Sequence, residues 1–247
     1  MIRIILLFLF IVTSDVESAE LSKLIPQIKP SVVAIAVYNP TSAPRLKLIG
    51  SGFAVAPGNR IATNFHVVEK VLDITKNESY VVLSGHGAQP QMHQILQISS
   101  SREHDLALLQ IGKNLPFLEL AADETVDEGT EVAFTGYPIT AVLGLYPATH
   151  RAIVSAVTPI AIPADHSTTL NPRTLRQLQQ PYPVYQLDGT AYPGNSGSAL
   201  YRQSDGKVVA VVNMVLVKAS REAVLSDPSG ITFAIPVTHL KQLMVQR

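Results

Sequence analysis

Cysteine is absent from the 247 residues, so no disulfide framework is available and the fold must be held by burial. Excess charge is absent as well. Nineteen Lys and Arg against nineteen Asp and Glu give a formal net charge of zero, which removes the electrostatic footprint of a nucleic-acid binder. The apolar run from Ile4 to Val12 has nine residues, well short of the roughly 20 that span a bilayer as a helix. Long helical patterns are nearly missing, and no internal repeat or low-complexity segment is visible. What remains is a chain with 47% hydrophobic residues, enough for a large core in one or two domains.

Arg3, the short apolar run and the small residues Ser18 and Ala19 form a secretory signal pattern. Residues 1–18 are therefore expected to be a leader. The mature chain would be exported to a periplasm or secreted, a bacterial envelope setting suits it best, and it would not be integral to a membrane. A retained anchor is the competing outcome.

Strand periodicity dominates the rest. Val32 to Val37, Gly52 to Ala56, Tyr80 to Leu83 and Val208 to Val217 are short, rich in β-branched residues and bounded by Pro, Gly or Asn. Two stretches read as helices, Leu21 to Ile28 and Val237 to Val245, the latter with Leu240, Leu243 and Met244 on one face. Leu118 to Gly129 is acidic and lacks alternation, so it reads as a connection between an N-terminal unit (19–118) and a C-terminal unit (119–247).

Chemistry concentrates at three places. Gly194-Asn195-Ser196-Gly197 presents a serine between glycines, where backbone amides can face a developing oxyanion. His66 lies in Thr63-Asn64-Phe65-His66-Val67-Val68, and Asp105 in His104-Asp105-Leu106-Ala107-Leu108-Leu109. A serine hydroxyl needs a base, and the base an orienting carboxylate. The order His, Asp, Ser separates this chain from subtilisin-like and α/β-hydrolase arrangements.

Gly50-Ser51-Gly52-Phe53-Ala54-Val55 followed by the His66 run resembles the histidine region of HtrA/Deg-type trypsin-like proteases. Gly194 to Gly197 resembles their nucleophile loop. Asp105 to Ile111, Ile153 to Ala156 and Ile231 to Pro236 match in the same order, so the resemblance covers Val32 to Val237. It implies an all-β fold of two six-stranded antiparallel barrels with a short C-terminal helix, the active site lying in the cleft between them. It also implies a serine endopeptidase with His66, Asp105 and Ser196 as the triad and an oxyanion hole from Gly194, Asn195 and Ser196. No cofactor and no metal are implied.

Substrates would be peptides or unfolded proteins. Six residues before Ser196, where tryptic relatives carry a carboxylate, stands Thr190. Small or aliphatic side chains before the scissile bond are therefore expected, with Asn213, Met214 and Val215 pairing to the substrate backbone. Asp188 aligns with an aspartate that the HtrA/Deg relatives also carry. Two departures stand out: Ser198 replaces the usual glycine, and, with Arg247 about ten residues after the last barrel motif, no PDZ domain is expected to follow. Regulation would then fall to the loops Tyr137 to Pro147 and Ile160 to Pro183. Oligomeric state is left open.

Plainer readings compete. A serine in a Gly-rich turn is ordinarily a turn residue, and a silent barrel module binding peptides or partner proteins is the main alternative, with an esterase as a third. His104 is expected to be peripheral because neighbouring strand residues point to opposite faces. His86 and His93 flank a turn containing Gly87, Gln89 and Pro90 and read as loop residues. Asn77-Glu78-Ser79 is a short glycosylation pattern, and Leu175 to Gln180 is either a surface helix or a linker.

Overall fold

The computed structural model describes residues 21–87, 89–122, 125–138, 144–160, 181–213 and 231–246. Helix α1 (Leu21–Ile28) leads into six strands: β1 (Val32–Tyr38), β2 (Leu46–Val55), β3 (Arg60–Thr63), β4 (Ser79–Ser84), β5 (Gln91–Ser101) and β6 (Leu106–Ile111). These close into an antiparallel barrel in the order β1-β2-β3-β6-β5-β4. A second closed barrel, ordered β10-β11-β12-β9-β8-β7, is built from β7 (Glu131–Gly136), β8 (Ala148–Pro159), β9 (Pro183–Asp188), β10 (Ala199–Arg202), β11 (Val208–Asn213) and β12 (Ile231–Pro236). Helix α2 (Val237–Val245) closes the chain. Two six-stranded antiparallel barrels with a C-terminal helix are the architecture the resemblance implied.

The pattern of β1 shows how the barrels meet. Val33 and Ile35 point into the first barrel with Ala54, Ile61, Val82 and Leu109. Their neighbours Val32, Ala34 and Ala36 join a different apolar layer with Phe53, Tyr137, Tyr201, Val211 and Ile235, drawn from both barrels. Both faces of β1 are therefore buried, which is why its sequence is an unbroken apolar run instead of an alternation. The second barrel has its own interior around Phe134, Leu187, Leu200 and Val212.

Helix α2 buries Val237, Leu240 and Leu243 against the shared layer, one residue per turn. Met244 is only partly covered, and the helix end is held by Arg60, whose guanidinium donates to the Met244 carbonyl at 3.2 Å. Helix α1 buries Leu24 and Ile28, four residues apart on one face.

His93 is not in a loop. It sits in β5 opposite Val82, and its Nε2 lies 2.8 Å from Ser84 Oγ. The strand escapes notice because Met92, Leu96 and Ile98 are exposed while Ser99 and Ser101 are half-buried, which blurs any alternation, and its place comes from the ladders to β4 and β6.

Candidate active site

Pairing of Thr63 with Ala107 ends β3 beside the start of β6. The two turns that follow and precede these residues carry His66 and Asp105, so the barrel ladder itself brings them together. The Asp105 main chain is gripped first: its carbonyl accepts from Phe65 N–H at 3.1 Å and from the Asn64 side-chain amide at 3.1 Å. The Arg102 guanidinium stacks over the Phe65 ring at 4.9 Å, joining the same two turns. Asp105 has φ 52°, in the left-handed region that aspartate tolerates better than most residues.

His104 belongs to this turn and not to a strand, so the alternating-face reason for setting it aside does not apply. Its ring stacks on His239 of α2 at 4.0 Å and packs against Tyr182 at 4.8 Å, turned into an inter-barrel joint instead of toward Ser196.

The Asp105 side chain is fully buried and surrounded by donors. Oδ1 accepts from His66 N–H at 2.9 Å, and Oδ2 accepts from His66 Nδ1 at 2.7 Å and from the Asn213 amide at 2.7 Å. A carboxylate only accepts, so Nδ1 of His66 carries a proton, and Nε2 lies on the opposite side of the ring. The imidazole is one-fifth exposed, its side-chain accessibility being 19%. Asn213 was expected to serve the substrate through its backbone. The structure gives its side chain to Asp105, and Met214 and Val215 lie outside the described residues.

Ser196 sits on a turn that both barrels shape. Its carbonyl accepts from Ser51 N–H at 2.9 Å, and Gly197 N–H donates to Val212 O at 3.0 Å. Gly194 and Gly197 have φ of 100° and 88°, and a Cβ on either would strike the carbonyl oxygen of Tyr137 or of Ser51. Glycine is required there on both counts. A Cβ on Gly50 would lie 2.7 Å from the Val67 side chain and 3.3 Å from the Ser196 carbonyl, so the Ser196 turn and the His66 turn flank one glycine.

The amides of the turn divide cleanly. Asn195 N–H is committed to Tyr192 O at 2.9 Å, and Ser198 N–H to Asn195 O at 3.0 Å. Gly194 N–H and Ser196 N–H have no protein acceptor among the described residues. Ser196 Oγ and His66 Nε2 are not hydrogen-bonded to each other in this structure, a looseness common in ligand-free sites.

Ser51 is a residue the sequence reading passed over. Its hydroxyl donates to Gly194 O at 2.6 Å and accepts from Tyr137 N–H at 2.8 Å. It thus fixes the peptide before Asn195 to the first barrel. Nothing in a Gly-Ser-Gly run announces that contact, because its partners lie 86 and 143 residues away. Thr190 is half-buried between Gly189, whose carbonyl accepts from Thr232 Oγ1 at 2.6 Å, and Ala191, whose N–H donates to the same oxygen at 3.0 Å. Among the described residues no group of three or more His, Asp or Glu stands close enough to hold a metal ion.

Comparison with known proteins gives the family and the fold. The trypsin-like peptidase domain model matches residues 50–211. A probable periplasmic serine endoprotease of DegP-like type from Pseudomonas savastanoi pv. phaseolicola is 28% identical over 190 residues, covering 76% of this chain and 32% of that protein. A protein of the same description from Chlamydia muridarum is 29% identical over 198 residues, covering 80% and 33%. The chain thus spans about a third of the length of these relatives. Among solved structures, a protease from M. tuberculosis in its active form shares the fold with a TM-score of 0.62, at 22% identity over 90% of this chain and 82% of that one. The serine endoprotease from Yersinia pestis gives 0.61 at 25% identity, over 91% and 65%. With the family model spanning most of both barrels, including His66, Asp105 and Ser196, the chain belongs to the trypsin-like peptidase domain family.

Proposed function

We propose that this protein is a serine endopeptidase that cleaves peptides or unfolded proteins through an acyl-enzyme. The observation that carries the reading is the buried Asp105 carboxylate holding His66 by both N–H and Nδ1, with two unengaged amides beside Ser196. Ser196 Oγ attacks the scissile carbonyl carbon while its proton passes to His66 Nε2. The carbonyl electron pair moves onto oxygen, which Gly194 N–H and Ser196 N–H receive. Collapse breaks the C–N bond, and the departing amine takes the proton from His66. Water then repeats the attack on the ester, its proton again passing through His66, and frees the acid and Ser196.

Asp105 keeps the proton on Nδ1 and stabilises the imidazolium formed in each half-reaction. Asn195 supports the turn through its engaged amide and is not assigned as a donor to the oxyanion. Thr190, uncharged at the pocket position, favours small or aliphatic side chains before the scissile bond. Export to a periplasm or the medium is supported by the leader pattern and by the periplasmic description of the two relatives. Among the described residues no helix is long and apolar enough to cross a membrane.

A resting or silent module is the second reading, favoured by the missing Ser196–His66 hydrogen bond. Turnover of a peptide amide by the parent and its loss in Ser196→Ala separates the two. An Asp105→Asn chain that loses about 10⁴-fold supports the triad. A parent that binds peptides and cleaves neither amides nor esters establishes the silent module.

A further inference from the structure

A cavity of about 770 Å³ opens where α1, the β4–β5 turn, the β6–β7 connection and the start of β8 meet. Its size falls within the range of small-ligand sites, about 300–1,000 Å³. Pro30, Pro116 and Pro147 and the rings of Tyr137 and Tyr146 give it rigid apolar walls, which lose little side-chain freedom when covered. Lys29 supplies an ammonium group. No carboxylate stands among the described lining residues, and Lys29 has no ion pair among them. The cavity is therefore complementary to an anion attached to an apolar group.

Its floor leads straight to the nucleophile turn. Tyr137 reaches into the cavity and donates its hydroxyl to Gly85 O at 2.8 Å. The same residue's N–H donates to Ser51 Oγ at 2.8 Å, and that hydroxyl donates to Gly194 O at 2.6 Å. The Tyr137 carbonyl packs under Gly194. One residue is thus both cavity wall and support of Gly194, whose own N–H is a proposed oxyanion donor.

We propose that this cavity is a second binding site that takes the carboxylate end of a short peptide and steadies the Gly194 turn through Tyr137 and Ser51. The carboxylate meets Lys29, and an apolar last side chain lies on the tyrosine and proline rings. The proposal rests on the endopeptidase reading, since peptide hydrolysis releases such ends, with small or aliphatic last residues. Occupancy by product then raises the rate of further cleavage.

The chain has no tryptophan, so Tyr146→Trp places a single emitter on an exposed part of the wall. N-acetyl-Ala-Pro-Val as free acid and as C-terminal amide are titrated into this chain after phosphonylation of Ser196, which keeps ligand out of the catalytic cleft. The expected result is a saturable emission change with the acid, about tenfold or more weaker with the amide. Lys29→Gln, at a half-buried surface position, should abolish that difference. In the unmodified parent the acid, and not the amide, should speed ester hydrolysis by about fivefold or more.

Absence of a saturable signal, equal binding of acid and amide, or indifference to Lys29→Gln each overturns the site. Binding without a rate change overturns the coupling. If Ser196 resists phosphonylation while the acid still binds in a Lys29-dependent way, the endopeptidase reading fails and the binding site stands.

Discussion

Replacing Asn213 by alanine separates the role its side chain takes in the structure from the one its place in the sequence suggested. The Asn213 amide donates to Asp105 Oδ2 at 2.7 Å, both residues being fully buried. A hydrogen bond to a charged group contributes about 1.5–3 kcal/mol, and each 1.4 kcal/mol is about tenfold in rate. Loss of the donor leaves Oδ2 with less support for the negative charge that must hold His66 when it becomes imidazolium. The kcat of Asn213→Ala should fall by about 10- to 150-fold. Because the amide touches Asp105, KM should stay near the parent value. Asn213→Asp keeps the shape but sets an acceptor against a carboxylate, and it should lose at least as much. The assay is steady-state hydrolysis of a peptide substrate, with active sites counted by phosphonate titration and folding checked by urea denaturation. A raised KM with kcat within about threefold of the parent would refute the reasoning and return Asn213 to the substrate side.

Other perturbations test the surrounding parts. A Cβ on Gly136 would strike Ser198 Oγ and lie 2.8 Å from Ser51 Oγ and 2.9 Å from Asn195 Oδ1. Gly136→Ala should therefore cost about 1–3 kcal/mol by overpacking, and adding Ser198→Gly should recover part of it; thermal midpoints of the three chains decide. His239 is pushed down to about 4 by burial and by the neighbouring His104 ring, with Glu103 and a Gln242 hydrogen bond opposing. The unfolded chain takes up this proton near 6.5, so stability is lost as pH falls from about 6.5 to about 4. Discounted for partial exposure, the loss is about 1–2 kcal/mol. His239→Phe should remove that share of the acid sensitivity when urea midpoints at pH 7 and 4.5 are compared with the parent. A panel of peptides varied before the scissile bond should be cleaved fastest after valine or alanine, and fastest cleavage after arginine would refute the reading of Thr190.

Much of this arrangement was legible in the chain because it is written locally. His66, Asp105 and Ser196 stand in short runs of fixed order, and the strands around them are apolar segments with turn residues at their ends. Gly194 and Gly197 advertise the left-handed turn the serine needs. What was not legible depends on distance. Ser51 and Asn213 act on residues 143 and 108 positions away, so neither contact leaves a pattern in its own neighbourhood. β5 was hidden because Met92, Leu96 and Ile98 are exposed while Ser99 and Ser101 are half-buried, so only Ile95 packs on the core and no clean alternation marks the strand. Asp105 lies on a turn at φ 52° and not within a strand, so alternation gave the wrong reason for dismissing His104. That residue's stacking on His239 required the C-terminal helix to fold back onto the first barrel.

The most direct test of the central claim is reaction of the protein with a fluorophosphonate, beside Ser196→Ala and His66→Ala chains, with the adduct located by peptide mass spectrometry. The account predicts one adduct, on Ser196, absent from Ser196→Ala and greatly slowed in His66→Ala. An adduct on another residue, or none on a folded protein that binds peptides, would contradict it.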